Sequence, residues 1–153
     1  MAKGKSSTSA ELPKRPVDTP AEWLRYAAEN LAVAERELAY EEPAFHTICF
    51  LCQSAAEKYL KGFLIAQGWS LERTHDIVVL LGLCADYAPA FSDLLTDGAV
   101  LNEYIVAGRY PGDLAYEGIG RIEADEAVAT VRRIRELVME RMMTADQTTT
   151  SQA

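Results

Sequence analysis

The chain has 153 residues, of which 49% are hydrophobic and 25% charged, with a formal net charge of −8. That length predicts one globular domain able to bury a core without disulfide or metal staples. The acidic balance argues against a broad nucleic-acid-coating face, but fifteen Lys and Arg residues can still build a small basic pocket locally.

No apolar run reaches membrane-spanning length. The opening "MAKGKSSTSAELPKRP" carries basic residues but no apolar stretch, so it does not read as a secretory leader, and a cytoplasmic protein is expected. Residues 1–18 are rich in Ser, Lys, Pro and Thr without periodicity and are expected to be a disordered tail. The same is expected of 145–153, "ADQTTTSQA", which leaves 19–144 as the folded unit.

The first helix should start at "DTPAEWL", where Asp18 or Thr19 can cap, Pro20 suits the first turn and Glu22 complements the dipole. Leu24, Ala27, Ala28, Leu31, Ala34 and Leu38 recur at helical spacing, and Pro43 closes the segment. A second and most apolar helix spans about 44–67, with Phe45, Ile48, Cys49, Cys52, Ala55, Ala56, Tyr59, Leu60, Phe63 and Leu64 as its stripe. Gly68 is placed to stop it. Thr74 reads as the cap of a third helix over about 75–87, with Asp76 in its first turn and Ile77, Leu80, Leu81 and Cys84 inward. A fourth segment covers about 90–108, with a kink expected near Gly98, and ends at "RYPG". "DLAYEGIG" reads as loop. The fifth helix covers about 122–143, with Ala127, Val131, Ile134, Val138 and Met142 inward. No segment alternates convincingly as a strand. The expected architecture is all-α: an antiparallel up-and-down bundle of about five helices around a four-helix core.

Three cysteines in a chain without a secretory leader read as reduced thiols. His46, Cys49 and Cys52 share a helical face, so a metal site completed by Cys84 is conceivable. The same face continues through Phe45, Ile48, Ala55 and Ala56, which favours buried thiols acting as small hydrophobes, and no metal or cofactor is expected.

The polar face of the second helix holds Gln53, Glu57 and Lys61 at steps of four, with Lys58 on the adjoining edge. The plain reading is a solvated Glu-to-Lys pair contributing a few tenths of a kcal/mol. In an up-and-down bundle, however, the end of helix two, the start of helix three and the end of helix four should meet. Lys61, His75, Asp76, Arg109 and Tyr110 would then gather at one pole, where the unpaired amides of helix three favour an anion. Each has a structural alternative: His75 can decorate a helix start, Arg109 can pair with Glu57 or Asp113, and Tyr110 and Pro111 can simply end helix four.

The segments "FHTICFLCQSAAEKYLKGFLIAQG", "THDIVVLL" and "YIVAGRYPGD", preceded by "EWLRYAAENLAVAERELA", resemble a HEPN domain (higher eukaryotes and prokaryotes nucleotide-binding) from about Pro20 to Met143. The resemblance implies a helical bundle that dimerises, a link to nucleotides or RNA, and often a minimal nucleotidyltransferase partner in toxin–antitoxin-like systems. Its signature positions fall on Gln53, Glu57, Lys58, Lys61, Thr74, His75, Asp76, Arg109, Tyr110 and Pro111. Carried over, Lys58, Lys61, His75, Arg109 and Tyr110 are candidate ligand-binding residues, and Gln53, Glu57 and Asp76 support them. Two departures stand out. Ribonuclease members resemble one another in an Arg followed four to six residues later by His, and no His follows His75 here. Asn30 stands where relatives often carry an acid. The expected function is therefore binding of a nucleotide or RNA phosphate by a homodimer. The alternatives are a divergent metal-independent ribonuclease using His75 and Arg109, and a non-catalytic interaction module. Trp23, Tyr26 and Trp69 are the apolar candidates for a dimer face.

Overall fold

A computed structural model describes residues 19–107 and 117–151. The expected N-terminal tail 1–18 lies outside the described residues, as does the segment 108–116 with Arg109, Tyr110 and Pro111. The described residues form α1 (Pro20–Leu38), α2 (Phe45–Ala66), α3 (Ile77–Ala85), a 3₁₀ helix (Pro89–Leu94), α4 (Leu95–Ala107) and α5 (Arg121–Thr150), with no strand among them.

Local chemistry sets the element ends. Thr19 Oγ1 accepts from the Glu22 amide at 3.3 Å and Pro20 occupies the first turn of α1. Glu37 Oε1 accepts from the Ala44 amide at 3.0 Å and so fixes the turn into α2. At the far end of α2, Gly68 takes a φ of 91°, the one left-handed residue described. Its amide bonds to Ile65 O and the Trp69 amide to Leu64 O, both at 3.0 Å, which closes the helix in a Schellman turn.

Cross-helix contacts give the directions. Gly62 lies against Trp23 and Leu24, and Lys58 bonds Asn30, so α1 and α2 are antiparallel. Asn102 bonds Ile77 while Gly98 packs on Leu81, so α4 runs antiparallel to α3. Arg132 pairs with Glu35 and Arg133 with Asp97, which sets α5 antiparallel to both α1 and α4. The core is thus an up-and-down set of α1, α2, α4 and α5. α2 is its centre, packing on every other α-helix.

The short α3 departs from simple alternation. Gln53 meets His75, Leu60 meets Cys84 and Phe63 meets Tyr87, so α3 runs in the same sense as α2. The non-helical segment 69–76 must therefore return along α2 before α3 begins. This corrects the expectation that α3 starts beside the end of α2. The start of α3 instead lies against the middle of that helix.

The inward stripe of α2 from Ile48 to Leu64 and that of α3 are buried as expected, as are Ala27, Leu31 and Ala34 of α1 and Ala127, Val131, Ile134 and Val138 of α5, while Leu24, Leu38, Phe45 and Met142 are only partly buried. Ala28 is exposed and lines a cleft towards Arg135 of α5. Three further expectations change. α4 continues as regular α-helix through Gly98. The irregular turn is the preceding 3₁₀ helix, and Gly98 is small because a Cβ there would lie 2.5 Å from Leu81 Cδ1. α5 continues to Thr150, past the expected end of the folded unit at 144. Thr144, Thr148 and Thr150 turn their hydroxyls back onto the carbonyls of Glu140, Thr144 and Asp146, and extending a nucleated helix costs little. Of the three apolar dimer candidates, only Tyr26 stays exposed, while Trp23 and Trp69 are half-buried.

The cysteines pack as hydrophobes. Cys49, Cys52 and Cys84 are free and buried, and burial pushes each thiol up to about 12, so all three stay protonated at neutral pH. Among the described residues no group of three or more His, Cys, Asp or Glu is arranged to hold a metal ion, and no helix is long and apolar enough to cross a membrane.

Candidate functional site

The steps of four along α2 place Gln53, Glu57 and Lys61 on one face. The plain sequence reading made that face wet. The structure buries it: Gln53 is 4%, Glu57 9% and Lys61 4% exposed. The return of 69–76 covers it from one side. Trp23 covers it from α1, with its ring centroid 5.7 Å from Lys61 Nζ, within cation–π range.

Every buried polar group in this row then needs a partner. Lys61 Nζ donates to Glu57 Oε1 at 3.1 Å. The same carboxylate oxygen lies 2.5 Å from His75 Nδ1. A carboxylate can only accept, so Nδ1 carries the proton of that bond. Gln53 Nε2 donates to the His75 carbonyl at 3.2 Å. His75 is thereby held through both its backbone and its ring, yet the side chain stays 70% exposed. With Nδ1 committed to Glu57, Nε2 is the ring atom left for a ligand.

The start of α3 is built differently from the expectation. Its cap is Asp76, not Thr74: Asp76 Oδ1 accepts from the Val78 amide at 2.9 Å and the Val79 amide at 3.2 Å. Thr74 Oγ1 accepts one residue earlier, from the Asp76 amide at 3.2 Å. The Ile77 amide donates to Asn102 Oδ1 at 2.7 Å, and Asn102 Nδ2 donates to Asp76 Oδ1 at 2.8 Å. The amides expected to be free for an anion are therefore occupied from within the protein. The Asn102 bond, with the two backbone amides, holds the Asp76 carboxyl below its ordinary range.

Lys58 belongs to a separate set. Its ammonium donates to Asn30 Oδ1 and to Ser54 Oγ, both at 2.6 Å, and Ser54 Oγ donates to Asn30 Oδ1 at 3.1 Å. Burial lowers the Lys58 pKa, outweighing the upward pull of the Glu57 and Glu29 carboxylates. The structure thus joins Gln53, Glu57, Lys61 and His75 in one cluster, sets Asp76 beside it, and places Lys58 on the α1 flank. Arg109 and Tyr110 lie outside the described residues. Sequence reasoning missed Asn102. No local signal marked it, because its partners Asp76 and Ile77 lie about twenty-five positions away in the chain.

With this geometry in hand, the comparisons decide the lineage. The HEPN domain profile matches residues 20–142. The chain belongs to the HEPN-domain family. Its fold is similar to the crystal structure of ST0689, an archaeal HEPN homologue, with a TM-score of 0.65 and 28% identity over 80% of this chain and 97% of that one. It is also similar to the crystal structure of TT1696 from Thermus thermophilus, with a TM-score of 0.64 and 31% identity over 79% of this chain and 96% of that one. No curated protein matches. The HEPN match begins at the first residue of α1 and ends within α5, so it takes in the whole helical core.

Proposed function

We propose that this HEPN-domain protein binds the phosphate of a nucleotide or RNA beside His75. In this reading it works in the cytoplasm as a homodimer, with a minimal nucleotidyltransferase-type partner in a toxin–antitoxin-like system. The observation that carries the reading is the exposed His75 ring fixed from below by a buried carboxylate. A carboxylate-held imidazole presents Nε2 in one orientation. When protonated, Nε2 donates to a phosphate oxygen; when neutral, it accepts from a hydroxyl.

Arg109 and Tyr110 complete the site in this proposal. Arg109 makes the bidentate phosphate contact and Tyr110 stacks on a base or donates its hydroxyl. Support comes from α4: Asn102 of that helix touches the residues just after His75, and in the sequence Arg109 follows closely on the last residue of α4, Ala107. Lys61 balances Glu57, and Lys58 contributes positive field from the α1 flank. The test is calorimetric titration of AMP and of a short single-stranded RNA into wild-type, His75→Ala and Arg109→Ala protein. Binding by the wild type and its loss in both folded variants is the expected result. A wild type that binds neither probe overturns the reading.

The Glu57–His75 pair also favours the cleavage alternative, because a carboxylate-oriented imidazole is the usual form of a general acid or base. In that reading His75 Nε2 takes the 2′-hydroxyl proton and Arg109 stabilises the phosphate charge. RNA cleavage in the presence of chelator should then disappear in both His75→Ala and Arg109→Ala. Cleavage that survives His75→Ala rules this mechanism out.

A further inference from the structure

We infer that Asn102 is a positioning residue for His75, the device by which α4 sets where the imidazole stands; this rests on the reading of His75 as the ligand-facing group. His75 is on no regular element, because 69–76 is non-helical backbone and α3 starts only at Ile77. A residue so placed is oriented only as well as its tethers allow. Those tethers come from two helices. α2 supplies Gln53 to the His75 carbonyl and Glu57 to its ring. α4 supplies Asn102, which grips the chain directly after His75.

That grip needs an amide. Asn102 Oδ1 accepts from the Ile77 amide at 2.7 Å, and Ile77 is fully buried, so this donor has no water to fall back on. Asn102 Nδ2 donates to Asp76 Oδ1 at 2.8 Å, the same oxygen that caps α3. One side chain thus offers an acceptor and a donor to consecutive residues. Asp would present only acceptors, and its charge would face the Asp76 carboxylate. Ala would present neither.

The arrangement also ties the site to α4. Asn102 lies on the helix that leads to Arg109, so it fixes the register between that helix and His75. Loss of Asn102 releases the His75–Asp76–Ile77 segment from α4 while the Gln53 and Glu57 groups remain in place.

The test uses the full chain and reads the His75 ring directly. The chain has two histidines, so long-range ¹H–¹⁵N spectra resolve each imidazole and report which nitrogen carries the proton. Wild-type protein should show His75 protonated at Nδ1. Asn102→Ala and Asn102→Asp should lose that signature, with His46 signals and helical circular dichroism unchanged. The pair Asn102→Asp with Asp76→Asn returns an amide and a carboxylate to the same two positions and should restore it. A merely structural Asn102 would lower the melting temperature without moving the tautomer. An unchanged His75 signature in Asn102→Ala overturns the inference. Should Asn102→Ala fail to fold, Asn102→Asp and its paired rescue decide instead, and no restoration in the pair counts against the proposal. AMP titration of the same samples separates the two levels. If the wild type does not bind AMP or RNA, the functional reading falls, while the spectra still decide the role of Asn102.

Discussion

Glu57 Oε1 lies 2.5 Å from His75 Nδ1, although eighteen positions separate the two residues in the chain. The same oxygen takes the Lys61 ammonium at 3.1 Å. One buried carboxylate therefore serves two cationic or cation-forming partners, one hidden beneath it and one standing in solvent above it.

That arrangement makes Lys61 hard to remove. Its side chain is 5% and that of Glu57 11% exposed, so Lys61→Met leaves a carboxylate with little access to water. The expected loss is about 3–5 kcal/mol. Adding Glu57→Gln to Lys61→Met removes the stranded charge and should recover most of it. Urea unfolding of the two singles and the double measures the coupling. A Lys61→Met loss below about 1 kcal/mol, the ceiling typical of an exposed pair, would show that the pair behaves like a surface contact.

Asp76 should make part of the stability acid-sensitive. Its carboxyl is held below the ordinary range, first by Asn102 and then by the Val79 and Val78 amides. A depressed folded pKa means that its contribution is complete above about pH 4, the unfolded value, and is lost as pH falls through the folded value. Asp76→Ala should cost about 1 kcal/mol near neutrality through the lost cap. The gap between wild type and variant should narrow below about pH 4. Urea midpoints at neutral and acid pH check this, and a gap that widens in acid would contradict the assignment.

Gly98 sets two effects of opposite sign against each other. Alanine is better than glycine in a helix by about 1 kcal/mol. A Cβ at this position, however, would sit 2.5 Å from Leu81 Cδ1 and 3.1 Å from Ile77 Cγ2, inside a packed core. Overpacking costs about 1–3 kcal/mol, so steric crowding should win and Gly98→Ala should lower the melting temperature. A rise in melting temperature would mean that Leu81 moves aside freely.

Lys58 offers a gain. Its direct acceptors Asn30 and Ser54 are neutral, and its pKa falls by desolvation despite the Glu57 and Glu29 carboxylates nearby. The penalty for the charged form is present at pH below the folded pKa and is relieved as pH rises through it. Asn30→Asp supplies a charged acceptor at the same place and should stabilise the protein by about 1 kcal/mol near neutrality, the difference between a charged and a neutral hydrogen bond. The wild type should also gain on the variant as pH rises through the lowered Lys58 pKa, where the ammonium loses its proton. Equal pH profiles for the two proteins would show that Lys58 is solvated.

Much of the fold was legible in the chain because local rules govern it. Helical spacing marked the buried stripe of α2 from Ile48 to Leu64, and the cap chemistry of Thr19, Pro20 and Gly68 marked element ends. These signals depend on residues within a turn or two of one another, so no tertiary contact is needed to read them. The match of "QSAAEKYLK" and "THDIVVLL" to a family pattern likewise needed only the residues themselves.

Three features were decided only by the tertiary structure. Whether Gln53, Glu57 and Lys61 are wet depends on what covers α2, and the covers are Trp23 from α1 and the return of 69–76. That return reverses the sense of α3, and helical periodicity carries no information about direction. Asn102 bonds residues about twenty-five positions away, and a polar side chain does not announce a partner that distant in the chain. Sequence by itself determined which faces are apolar and where α1 starts and α2 stops. Only the folded chain decided which polar groups lose their water, and desolvation is what turns a row of charges on a helix into a fixed site.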